Sequence, residues 1–231
     1  MDPAKNLGLW QFVVDENNVV SALVNKRIRD AIHLVNELRQ NLTHFQHLPP
    51  EIKQQKLQNV ATLTSVVHLT SFIHNTEEYA ESMFLTEQYD HAFTAMSQAR
   101  ASNANKEQLI EIYNEYTTHD ALLTNACSSV KPNLITIKSR KGYFAQMCIE
   151  LQHYNNAMIY HSLAYTAYEQ NHYALYTHHC ESCRRFLLPA RFTLLSKAYG
   201  TDVIRQKLAD AMLIVHLDVE PTFASEKNIR I

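Results

Sequence analysis

The stretch Val24–Phe45, VNKRIRDAIHLVNELRQNLTHF, decides the fold class. Its apolar residues recur at Val24, Ile28, Ala31, Val35, Leu38, Leu42 and Phe45, alternating steps of four and three that line one side of a helix. Lys26, Arg27, Arg29, Asp30, Glu37 and Arg39 take the other side. The spacing predicts a single long amphipathic helix. Asp15-Glu16-Asn17-Asn18 reads as the break and N-cap before it, with Leu7 to Val14 as a short apolar arm or preceding helix. Pro49-Pro50 ends it, because the residue before a proline is forced out of helical space, and Pro50 suits the first position of the next helix.

The same period continues outward. A second helix reads through Leu57, Val60, Leu63, Val67 and Ile73, reaching about Leu85 or restarting at Asn75. A third is expected over about 88–101 and a fourth over about 106–127. Residues 129–139 have strand-like letters, but Pro132 and its polar neighbours make them a connector. Helical spacing resumes after Gly142 to about Leu187, and Pro189 opens a helix that a left-handed Gly200 closes. Thr201 caps a last helix with Ile204, Leu208, Ala211, Met212 and Val215 on one face, stopped by Pro221. The fold expected is all-α, a bundle of antiparallel hairpins with a long N-terminal amphipathic helix. Residues 1–130 would form an N-terminal half, 131–219 a C-terminal half, and 220–231 a loose tail.

Composition narrows the chemistry. The chain of 231 residues is 46% hydrophobic and 19% charged, enough to bury a core and too little charged for a disordered chain. With three glycines, no glycine-rich phosphate loop can be written, which excludes that route to nucleotide binding. The net charge of −2 gives no global field for nucleic acid or a membrane surface. Residues 1–130 carry 9 Lys+Arg against 15 Asp+Glu and residues 131–231 carry 12 against 8, a mild polarity along the chain. No apolar run is long enough to span a bilayer, the first residues lack the pattern of a signal peptide, and four cysteines make no disulfide framework. The expected setting is the cytoplasm, without insertion into a membrane.

Two segments align without gaps: Tyr79-Ala80, Tyr89, Ala92, Met96, Ala99 and Phe144-Ala145, Tyr154, Ala157, His161, Ala164. This pattern resembles the tetratricopeptide helical hairpin over about 50 residues, in which small residues let two helices approach closely. The resemblance implies a turn at Glu87 and another at Gln152, where the family has glycine. Ala104 and Glu169 stand where the family has proline, and no third copy follows.

His172, His178, His179, Cys180 and Cys183 form the sharpest chemical cluster. Two thiolates and an imidazole suit tetrahedral zinc, so His178, Cys180 and Cys183 are candidate metal ligands of a small zinc-binding domain or zinc-dependent enzyme. The segment is helical by pattern and lacks a second cysteine pair, so the same cysteines also read as packed apolar residues. No nucleophile elbow or zinc-protease helix is present, and Glu77, Glu78, Glu81, Glu87 and Asp90 read as a solvated acidic face. The tyrosines from Tyr154 to Tyr176 suit a contact surface, since Tyr buries area at low entropic cost, or a core whose hydroxyls reach the edge.

These observations set the functional expectation: a non-catalytic protein–protein interaction protein, without cofactor or metal, acting as an adaptor or accessory subunit of a larger cytoplasmic assembly. An accessory subunit of a bacterial secretion machine is its concrete form. The residues expected to meet partner proteins are Val24, Ile28, Val35 and Leu38 on the long helix, and Tyr165, Tyr168, Tyr173 and Tyr176 on the later hairpin.

Overall fold

Among the described residues, three other than glycine adopt the left-handed backbone region, and each marks a reversal of the chain: Lys26 (φ 58°), Glu87 (φ 67°) and Asn171 (φ 58°). The computed structural model describes residues 3–44, 50–119, 134, 137, 139–188 and 191–217. Among them are eight helices and no strand, so the fold is all-α. The helices are α1 (Pro3–Val24), α2 (Ile28–His44), α3 (Pro50–Leu85), α4 (Tyr89–His119), α5 (Lys141–Glu169), α6 (Tyr173–Phe186), α7 (Thr193–Tyr199) and α8 (Thr201–Leu217).

The three reversals share one hydrogen-bond pattern. Lys26 N–H donates to Leu23 O (3.1 Å) and Arg27 N–H to Ala22 O (2.8 Å), which satisfies the last carbonyls of α1. Glu87 and Gln88 repeat this on Phe84 and Met83, and Asn171 and His172 repeat it on Tyr168 and Ala167. A new helix starts at once in each case, and the fourth residue of the pattern, Ala31, Ala92 or Tyr176, is buried beneath it.

Several sequence expectations shift for this reason. The long helix expected over 24–45 is the shorter α2: Val24 is the last residue of α1, and the break before α2 falls at Asn25–Arg27 and not at Asp15–Asn18. The polar run that reads as a break lies inside α1 because the fold pairs it: Glu16 is buried on Tyr113, and Asp15 accepts from Gln11 (2.8 Å) and Asn41 (3.5 Å). Residues 102–105 do not interrupt α4, where Asn103 is buried and donates to Glu107 one turn on (2.8 Å). Gln152 lies in the middle of α5, so the second copy of the hairpin pattern contains no turn, and the reversal comes at Gln170–His172. Gly200 has φ 101° and ψ 130°, outside the left-handed helical well; its carbonyl accepts from Ile204 (3.1 Å), so it ends α7 and starts α8 in one step. Phe45, Pro49, the end of the expected fourth helix, most of the 129–139 connector and the tail 220–231 lie outside the described residues.

The chain forms two compact units: Met1–Thr76 with Ala99–Lys141, and Glu77–Gln98 with Gly142–Ile231. Their boundaries fall inside α3 and α4, so each of these helices contributes to both units, a division unlike the expected 1–130 and 131–219. The charge polarity changes sign with it. The first unit carries 13 Lys+Arg against 10 Asp+Glu and the second 8 against 13, since Glu77, Glu78, Glu81, Glu87 and Asp90 belong to the second.

The first unit has a core of Val19, Leu23, Val35, Leu38, Leu42, Leu63, Val67 and Tyr113 among others. The end of the connector is fixed to α4. Leu134 N–H donates to Asn114 Oδ1 (3.0 Å), and Ser139 Oγ and Arg140 N–H donate to Glu107 Oε1 (2.8 and 3.0 Å). Burial pushes the Glu107 carboxyl up, but these bonds, that from Asn103 and the Lys106 charge hold it below its ordinary value.

The second unit is built around aromatic rings. Phe84 lies 5.1 Å from Tyr154, 5.3 Å from Tyr199 and 5.5 Å from Tyr89, centroid to centroid. The Lys207 ammonium sits 5.8 Å from both the Phe84 and Tyr89 rings and 3.6 Å from Glu87, tying α8 to the first reversal of this unit. Buried Glu150 on α5 accepts the backbone N–H groups of Leu194 and Leu195 (both 2.9 Å) and the Thr193 hydroxyl (3.2 Å), capping α7 from a distant part of the chain.

Candidate interaction surface

The residues expected to meet partners divide by exposure. Val35 and Leu38 are fully buried in the first unit's core, and so are unavailable on its surface. Val24 is exposed at the last turn of α1 and Ile28 is half-buried at the first residue of α2, so the four do not form one face of one helix. On the later hairpin, Tyr165 and Tyr173 are exposed, Tyr168 is half-buried and Tyr176 is buried. Tyr168 and Tyr176 pack on each other at 5.7 Å, holding α5 to α6, while the Tyr173 hydroxyl donates to Asn171 Oδ1 (3.0 Å).

The His/Cys cluster splits in the same way. Cys180 and Cys183 face inward as buried thiols outside any disulfide, and His178 is exposed on the same helix. Among the described residues, no three His, Cys, Asp or Glu side chains come together to hold a metal ion. Burial, and next to it Cys180, pushes the Cys183 thiol up to about 11. The histidines pack as rings. Phe186 stacks on Tyr160 at 5.7 Å and lies 5.8 Å from His153, and His179 lies 6.0 Å from Tyr160. Burial, and then the Arg191 charge, lowers His153 from its ordinary value, which favours the neutral ring.

A different surface stands out on α5. From Leu151 to Tyr168 the helix contains no Asp, Glu, Lys or Arg. One side of it packs inward through Phe144, Met147, Leu151, Tyr154 and Ala157. The other carries Ile149, Gln152, Asn156, Ile159, Leu163 and Thr166, again in alternating steps of three and four. Ile149, Ile159 and Leu163 are 46%, 50% and 43% exposed. The outward face of a helix in water is ordinarily charged. Charge depletion with apolar and aromatic residues is instead the composition found at the centre of a protein interface.

Sequence reasoning pointed to the tyrosines of this region and missed Ile149, Ile159 and Leu163. The signal that finds them is the missing charge: from Leu151 to Tyr168 the helix offers no Asp, Glu, Lys or Arg for its solvent side. No family model matches the chain, and no curated protein or solved structure matches it significantly. Among the described residues no helix is long and apolar enough to cross a membrane.

Proposed function

We propose that this chain is a non-catalytic protein–protein interaction protein, an adaptor or accessory subunit of a larger cytoplasmic assembly, with a bacterial secretion machine as the concrete case. The observation that carries this reading is the outward face of α5, where Ile149, Ile159 and Leu163 are exposed and the five turns from Leu151 to Tyr168 carry no Asp, Glu, Lys or Arg.

The test is quantitative affinity capture with the full chain, comparing wild type with Ile159→Glu and with Leu57→Glu, an exposed apolar position of the first unit. Proteins lost with Ile159→Glu and kept with Leu57→Glu are the result expected. Identical recovery by all three proteins, or no recovery by any, overturns the reading.

A further inference from the structure

We infer that the place where α5 meets the end of α6 and the start of α7 is an acid-sensitive joint, held by the neutral ring of His153 and loosened when that ring takes up a proton. His153 is half-buried on α5, and its Nδ1 is out of solvent without a hydrogen-bond partner. A neutral imidazole carries a single N–H and can keep it off Nδ1, whereas the imidazolium carries an N–H on both nitrogens. Protonation therefore puts a donor at Nδ1 where the structure offers no acceptor, and an unpaired buried donor is costly.

The surroundings do not compensate the new charge. From α6 the Phe186 ring lies 5.8 Å from His153, Tyr160 of α5 stacks on Phe186 at 5.7 Å, and His179 of α6 follows 6.0 Å from Tyr160. From the segment before α7 comes Arg191, a like charge. Glu150, one turn back on α5, attracts the imidazolium, but its oxygens already accept from Gln146, Thr193, Leu194 and Leu195. Its pull is the smallest of the three effects on the ring, after burial and Arg191. With His153 held below the ordinary histidine value of ~6.5, the opened or unfolded chain takes the proton first. The contribution of His153 is complete above ~6.5 and is lost as pH falls from there through the lower folded value. Phe186 ends α6 and Arg191 stands two residues before α7, so the cost falls where these two helices meet α5.

Thiol labelling of the full chain reads this joint, because Cys183 is fully buried on α6 one turn before Phe186. Its reaction with a disulfide reagent that remains active in acid, mapped by mass spectrometry, is compared at pH ~7.5 and ~5.5 in wild type, His153→Phe and His153→Gln. Each variant reports the pH dependence of the thiol chemistry itself, so only the excess in wild type belongs to His153. Acidification should raise labelling in wild type at least ~threefold more than in either variant, and Arg191→Gln should narrow that excess. A purely structural role for His153 would shift labelling equally at both pH values. An equal rise in wild type and a folded variant, or no rise in wild type, overturns the inference. Where neither variant folds, an NMR titration of the wild-type ring decides: a midpoint below ~6.5 supports the joint, and one at or above it overturns it.

Discussion

The Tyr113 hydroxyl donates to Glu16 Oε1 at 2.8 Å, joining α4 to α1 between two residues with no exposed surface. A buried carboxylate keeps its charge only where donors replace water, so this bond has a larger effect than an exposed one. Tyr113→Phe should lower stability by ~2 kcal/mol, read from chemical denaturation, because the acceptor stays buried and loses a donor. Glu16→Gln, which keeps an acceptor, should cost less than Glu16→Leu. Wild-type stability of Tyr113→Phe would show that the bond contributes nothing.

Burial, and after it the Glu16 charge and hydrogen bond, raises Tyr113 well above the ordinary phenol value. Tyr154 and Tyr199 are also raised, first by burial and then by neighbouring Tyr89 and Tyr143 respectively. A raised value in the folded state means that the unfolded chain releases these protons first. Their contribution is thus complete below the ordinary tyrosine pKa of ~10 and is lost as pH rises above it. In an ultraviolet absorbance titration, part of the tyrosine signal should appear only together with loss of helical circular dichroism. Ionisation of all twelve tyrosines in one step with the fold intact would contradict this.

Most of the helices were legible in the sequence, and two of their ends were not. Period-3.6 spacing located most of the described helix regions, because burial of one side of each helix is written in the residue types themselves, but not the second half of α1, where Asp15–Asn18 reads as a break. The ends at Val24 and Glu169 were hidden, since Lys26 and Asn171 hold a backbone conformation for which glycine is the usual sign, whereas the end at Leu85 was legible. Polar runs misled in the other direction. Asp15–Asn18 resembles a loop until Tyr113 and Asn41, which are remote in sequence, provide partners for it. The same limit applies to the candidate surface: the stripe of α2 reads equally well as interface or core, and only packing assigned Val35 and Leu38 to the core.

Lys26 offers a direct check on the reversals. An L-residue in the left-handed region costs about 1–2 kcal/mol, partly offset in a glycine by its greater freedom when unfolded. Lys26→Gly should therefore stabilise the protein by about 0.5–1 kcal/mol, and Lys26→Val should destabilise it, since a β-branched residue tolerates positive φ poorly. The opposite order of thermal midpoints would show that the Lys26 side chain matters more than its backbone.

Glu150 provides the clearest case of a residue with a structural role that its local sequence does not announce. It is fully buried and accepts from Gln146 as well as from the start of α7. Glu150→Ala leaves buried N–H groups without an acceptor and should cost ~3 kcal/mol, while Glu150→Gln keeps one acceptor and should cost about half as much. Equal stability of the two variants would mean that the cap is dispensable.

A role in binding a partner requires that the Ile159 face of α5 lie outside the folding core. The most direct measurement is the unfolding free energy of Ile159→Glu in dilute solution, set beside Leu151→Glu on the inward side of the same helix. The structure, with Ile159 50% exposed and Leu151 fully buried, predicts a change within about 0.5 kcal/mol for Ile159→Glu and loss of folding for Leu151→Glu. A loss of several kcal/mol at Ile159 would mean that the face is already covered within the monomer, and would contradict its assignment as a surface for a partner.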